Sequence, residues 1–457
     1  MAPSDEPADT FSDDAPPIQR WYLSYALLGL VVSGVAPIVL PLLAARNGGP
    51  SAPGLVMAAF NLGMLAAPLW GALADRTGGH RPMYGLGLAV VAAGIGVFPL
   101  HDGLGWFLAV ALGIGLAASA TATVANLFIT ERHPRETWDA RFGWLQTFYG
   151  GGQVVGLVVA GAFGASRASL ALGLAAFAAV LGTAMVRVVP ATTRGPRPVT
   201  AHHHRSHGVL VLGTLMTHVH LPHLLRGLAK LPRLARGGPS PFLVFLGGWF
   251  LGNLGGAALF SFYPLIMEHV FGLHTGAASW AFAGTAALGL ALYGPAGSGA
   301  KRLGANAVYR AGLGVRLVAL VFLALVGFTH LAMRGWLAIA GFGLVVLAWS
   351  LLGVAGSDLA AESSSLPQGE AMGLYAASGA VAAVVGSLLG GLVAALTGYA
   401  GLLWLASAFL LAALALTPRR RAGQPRRAPA GTAPQGSPPA AEGGARRPSG
   451  PASEHGS

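Results

Sequence analysis

The sequence predicts an all-α polytopic membrane protein with twelve transmembrane helices in two six-helix bundles. Three observations carry that expectation. Of the 457 residues, 54% are hydrophobic and only 10% are charged, whereas a soluble domain carries about 25% charged residues. Apolar runs of roughly 20 residues recur along the chain, the length a helix needs to cross about 30 Å of hydrocarbon. The second half of the chain also repeats features of the first at offsets of 226–230 residues.

The spans fall at about 21–44, 53–74, 83–100, 104–129, 142–163 and 168–189, then at about 242–267, 276–297, 306–329, 335–358, 370–396 and 399–416. Residues 1–20, with five acids before Arg20, read as a disordered cytoplasmic tail. Residues 21–189 form the first bundle, 190–241 a cytoplasmic linker, 242–416 the second bundle and 417–457 a disordered cytoplasmic tail. Prolines 37, 41, 68 and 264 lie inside spans and are expected to bend or open their helices.

Charge sets the orientation. Of 28 basic residues, only Arg46, Arg167 and Arg334 fall in loops on the side opposite the termini. Positive loops stay inside, so both termini are expected in the cytoplasm of a plasma (inner) membrane. The net charge of +12 is thereby explained by topology, and nucleic acid is not expected as a partner. There is no cysteine, which removes disulfide and thiol chemistry.

The repeat is read from particular residues. Gly71–Pro82, GALADRTGGHRP, has a weaker copy at Gly297–Gly304, GSGAKRLG, in which Lys301 stands at the place of Asp75. Trp21 and Ser33 match Trp249 and Ser261, and Gly143, Gly156 and Gly161 match Gly373, Gly386 and Gly391. Such parallel repeats place a solute pathway between the halves. The spacings Gly152 to Gly156 and Gly386 to Gly390 suit close helix approach in lipid.

The Gly-x-x-x-Asp-Arg-x-Gly pattern, the twelve spans and the long central loop resemble the major facilitator superfamily over residues 21–416. The resemblance implies transport by alternating access, two bundles rocking around a central site. Gly71, Asp75, Arg76, Gly78 and Arg81 are then expected to form a gate at the cytoplasmic surface. On physical grounds Gly71 suits close packing and Gly78 a tight turn, and Asp75 can face a helix dipole of the other half. Arg76 and Arg81 can pair with Glu131 or Glu136; Arg141 and Glu362 are further gate partners. The alternative is that the motif only sets topology and loop shape. Two departures weaken a drug–proton antiporter reading: Trp106–Ile129 contains no arginine, and the fifth span has no proline.

Inside the membrane, ionisable groups are functional suspects, yet the acids lie at or near helix ends. Asp358 and Glu362, then Glu268, are the candidates for proton coupling. Arg316 is the deepest base, and it is expected to snorkel to the interface from a peripheral span. With no central charge expected, the cavity suits an uncharged, zwitterionic or amphipathic solute. Tyr25, Ser33, Asn61, Tyr149, Gln153, Trp249 and Asn253 are its candidate lining, each with interhelical hydrogen bonding as the plainer reading.

The linker holds half of the 14 histidines, among them His202, His203 and His204. Their spacing fits no closed metal site, and no metal or other cofactor is expected. Residues 208–221 suit an interfacial helix, followed by a basic stripe at Arg226, Lys230 and Arg233. No Ser/His/Asp set, paired carboxylate site or phosphate-cradling loop points to an enzyme. The function expected is secondary transport of a small organic solute by a monomer, leaning to efflux of a drug-like or secondary metabolite. Proton-coupled uptake of a neutral nutrient, or a non-transporting sensor or scaffold, are the alternatives.

Overall fold

A computed structural model describes residues 18–134, 137–163, 167–189 and 240–417. The expected linker helix, the histidine cluster, and residues 1–17 and 418–457 of the two tails lie outside the described residues. Among those described, every regular element is helical.

The described residues form twelve helices that cross the fold. They are α1 (Tyr22–Gly48), α2 (Ala52–Met64 and Ala67–Thr77), α3 (His80–Leu100), α4 (Leu104–Arg132), α5 (Trp138–Phe163) and α6 (Ala168–Val188). The second set is α7 (Pro241–Phe260 and Tyr263–His269), α8 (Thr275–Leu303), α9 (Ala305–Val326), α10 (Arg334–Ser363), α11 (Gln368–Thr397) and α12 (Ala400–Leu416). Long apolar helices are the form in which a chain satisfies its own backbone in lipid.

Proline explains where these helices break. A proline at position i cannot donate to the carbonyl of i−4 and crowds it. The first segment of α2 ends at Met64, four residues before Pro68, and the first segment of α7 ends at Phe260, four before Pro264. In α1, residues Leu30–Val35 widen into a π-helical turn just ahead of Pro37 and Pro41.

Helices α1–α6 pack mainly on one another, as do α7–α12. The main junctions between the two sets are α2 with α11, α5 with α8, and the Ala36–Gly48 part of α1 with the Tyr263–His269 segment of α7. Glycine makes two of these contacts possible. A Cβ on Gly391 of α11 would lie 2.9 Å from the Ser51 carbonyl oxygen, and one on Gly161 of α5 would lie 3.0 Å from that of Gly276. Gly161 and Gly391 are a matched pair of the internal repeat, so equivalent glycines serve equivalent junctions. Trp280 Nε1 of α8 also donates to the Val158 carbonyl at 3.2 Å. These contacts gather toward the helix ends remote from Tyr22 and Leu416, the first and last helical residues described, whose side of the fold is the terminal face. On the terminal face, the Ala67–Thr77 segment packs on α3 and α4 of its own bundle.

Candidate functional site: the gate loop and the bundle interiors

The loop after α2 is built by a left-handed glycine. Gly78 has φ 64° and donates its N–H to the Ala74 carbonyl at 2.8 Å, ending the helix. Its counterpart Gly304 has φ 88° and donates to Ala300 at 3.0 Å. Only a residue without Cβ adopts such angles at little cost, so the turn role expected for Gly78 agrees with the geometry. Gly71 differs from expectation. A Cβ there would meet Thr123 Cγ2 at 3.7 Å, an ordinary contact, so close packing does not demand glycine at that position. Asp75 lies in the last turn of the Ala67–Thr77 segment.

The charged partners also differ from those expected. Arg81 Nε donates to the Val186 carbonyl at 2.8 Å, adding a second donor to an oxygen at the end of α6 that also accepts from the Val189 N–H at 3.1 Å. Arg76 is exposed. Glu131 meets His80 instead, with Nε2 3.2 Å from Oε1. This contact is an ion pair when the imidazole is protonated. His80 is buried at 4% exposure, and as a loop residue in the sequence it gave no sign of this role. Glu136 lies outside the described residues.

Arg141 is buried near the start of α5, with Nε 3.2 Å from Thr137 Oγ1 and the Tyr22 phenol nearby. The same guanidinium acts on His133, just past the end of α4. Burial first, and then the charges of Arg141 and Arg132, drive the His133 imidazole down to about 4. Gln19 Nε2 donates to the neutral ring's Nε2 at 3.1 Å.

Of the proton-coupling candidates, Asp358 is half-buried near the terminal-face end of α10, with Glu362 and Lys301 as charged neighbours. Glu362 is exposed. Glu268 is exposed on the opposite rim, where Thr275 Oγ1 donates to it at 3.4 Å.

The expected cavity residues fall into two groups and one junction. In the first bundle, the Tyr25 and Tyr149 rings lie 5.0 Å apart, and the Tyr149 hydroxyl is 2.6 Å from Ser33 Oγ. Gln153 is half-buried on the same helix as Tyr149, its carbonyl against Gly34. In the second bundle, Trp249 stacks on Tyr375 with ring centroids 4.3 Å apart and donates Nε1 to the Tyr375 carbonyl at 3.2 Å. Asn253 donates to the Trp249 carbonyl at 2.8 Å. Asn61 belongs to the junction: its amide donates to Ser387 Oγ of α11 at 3.2 Å, and Ser387 meets Ser261 at 2.8 Å.

Arg316 overturns an expectation. It stands midway along α9 at 2% exposure, held within the second bundle rather than snorkelling. The expectation of an interior without central charge is therefore corrected. Tyr309, Gly312, Leu313, Arg316 and Leu320 are all buried, and their spacing of three and four residues marks one face of a helix. That periodicity was the available signal.

The sequence profile of the Major Facilitator Superfamily matches residues 21–367. No curated protein matches the chain in sequence. Solved structures do match in fold. A point mutant of the nucleoside transporter NupG superposes with a TM-score of 0.68 at 13% identity, over 87% of this chain and 98% of that one. A D-xylose-proton symporter gives 0.66 at 15%, over 87% and 95%. A bacterial homolog of the human lysosomal transporter Spinster, in an inward-facing and occupied conformation, gives 0.62 at 14%, over 87% and 94%.

Proposed function

The chain belongs to the Major Facilitator Superfamily, and we propose that it is a secondary transporter exporting small organic solutes by alternating access. The observation that carries this reading is the asymmetric closure of two repeated bundles. Their junctions gather on the face away from the termini, while aromatic and amide groups of both bundles lie between the two faces. With the termini in the cytoplasm of a plasma (inner) membrane, this is an inward-open arrangement. Rigid bundles that exchange one closed face for the other form a bistable element.

Export is favoured by the character of the interior. Tyr25, Tyr149, Trp249 and Tyr375 offer ring faces, and Ser33 and Asn253 offer a few orienting polar groups, the usual composition of a small-molecule site. The solved relatives carry solutes as different as nucleosides and xylose, so fold alone selects no substrate. The gate lies at Gly78, Asp75 and the His80–Glu131 contact, where a second state can exchange partners. The transporter works as a monomer in the bilayer, with a small organic solute as its partner, without nucleic acid or a bound cofactor.

Proton-coupled uptake is the second reading, favoured by the Asp358, Glu362 and Lys301 group on the terminal face. Flux measured in inside-out and right-side-out vesicles, each under imposed pH steps, separates the two. Export predicts solute accumulation in inside-out vesicles. Accumulation only in right-side-out vesicles supports uptake, and no flux in either orientation contradicts transport.

A further inference from the structure

Arg316 is a buried cation for which the described residues supply no anion. Its guanidinium carbon lies 5.5 Å from the Phe260 ring centroid and 5.7 Å from that of Trp349. A Cβ on Gly256 would fall 3.0 Å from its Nη2, so the group occupies space that a glycine of α7 leaves. Its Nε is buried without a hydrogen-bond partner. Among the described residues no carboxylate lies within ion-pair distance of it.

The energetics make this arrangement incomplete. A guanidinium stays protonated at any working pH. Withdrawing one from water costs several kcal/mol after relaxation, while each cation–π contact returns about 0.5–2 kcal/mol. Two rings do not replace a counter-charge, and intramembrane charges of this kind mark solute or ion sites.

The surroundings indicate which anion fits. A single guanidinium presents a planar fork that matches one carboxylate through two parallel bonds. Its walls are rings, not further cations, which disfavours a phosphate dianion. Trp349 and Phe260 are half-buried, so the cover of the group is made of side chains that reach the surface. Trp349 also lies 6.0 Å from Trp249, which links Arg316 to the candidate solute groups of the second bundle.

We propose that Arg316 is the anion-recognising residue of the solute site, and that the solutes are monoanionic carboxylates with an aromatic or apolar body. The carboxylate seats on the guanidinium and the body packs against Trp349 and Phe260. This deepens the transport reading and rests on it.

The test is equilibrium binding to the purified full-length protein in detergent, with benzoate as probe and benzamide as its uncharged isostere. Tryptophan fluorescence and the thermal unfolding midpoint are the readouts. Benzoate is expected to give a saturable response in both and benzamide a much weaker one. Arg316→Gln should weaken benzoate by about ten- to a hundredfold, the value of a charge-assisted bond, and leave benzamide unchanged. Arg316→Lys should fall between them. Absence of a benzoate response, equal responses to both compounds, or full benzoate affinity in Arg316→Gln overturns the proposal. If Arg316→Gln does not fold, the wild-type comparison of the two compounds decides. Binding does not depend on flux, so failure here leaves transport of other solutes standing, whereas absence of any flux in vesicles removes the transport reading itself.

Discussion

Gly54 is the position at which a single methyl group should shift the balance between the two faces. A Cβ there would lie 2.7 Å from both Cα and N of Gly391 and would also collide with the Ser387 carbonyl oxygen, against 3.4–4 Å for an ordinary contact. These are backbone atoms, which cannot rotate aside, so α2 and α11 must part by about 1 Å in a close-packed junction. Overpacking of this kind costs about 1–3 kcal/mol. The cost falls only on the conformer in which Gly54 meets Gly391, so it passes into the equilibrium between conformers. At about 1.4 kcal/mol per tenfold, Gly54→Ala should move the population roughly 5- to 150-fold toward the opposite state. The chain has no cysteine, so spin labels on cysteines placed at the exposed His101 and His330 report without background. Electron–electron distance measurements should show a longer population growing in Gly54→Ala and dominating in Gly54→Val. A lowered unfolding midpoint with an unchanged distance distribution in both variants would refute the reasoning, because the junction would then be static packing.

Three further outcomes follow from the terminal face. Asp75→Asn is expected to reduce flux by about ten- to a hundredfold, the value of one charge-assisted bond in a gate, with membrane expression unchanged; wild-type flux would remove Asp75 from the gate. His80→Ala deprives Glu131 of the partner at 3.2 Å and should lower stability by about 1 kcal/mol, measured by thermal unfolding, with His80→Gln recovering part of the loss. His133 should make stability depend on pH. Its folded value of about 4 lies below the ordinary 6.5, so between these values the unfolded chain binds more protons than the folded one. Stability is then full above about pH 6.5 and declines as pH falls toward 4. The unfolding midpoint followed from pH 8 to 5 should show that decline, and His133→Gln should flatten it; identical curves would assign the decline elsewhere.

Much of the fold is legible in the sequence because bilayer thickness and backbone satisfaction leave few options. Hydropathy places the helices, and a proline four residues on places the breaks at Met64 and Phe260. The internal repeat also foretells packing, since Gly161 and Gly391 reappear at the two equivalent junctions and Gly78 and Gly304 at the two equivalent turns. Side-chain pairing is far less legible. Glu131 has two arginines and a histidine within reach along the sequence, and only the turn at Gly78 and the start of α3 at His80 decide for the histidine. Hydropathy misplaces Arg316 because it reports depth along a helix but not which way a residue faces. A peripheral span allows snorkelling only if the residue lies on the lipid side, and its buried neighbours at Leu313 and Leu320 exclude that side. Asn61 reads as a cavity residue for a related reason: a polar group at mid-depth serves a junction as readily as a solute.

The central claim is that the interior is presented to the two faces in turn, and a single cysteine at Asn253 tests it most directly. Asn253 is half-buried in the second bundle, bonded to the Trp249 carbonyl, and the rest of the chain carries no competing thiol. A membrane-impermeant maleimide applied to oriented vesicles should label it from the terminal face in an otherwise wild-type background. Combined with Gly54→Val, labelling from the terminal face should decline and labelling from the opposite face should rise. Labelling from the terminal face alone, at the same rate in both proteins, would contradict alternating access in this chain.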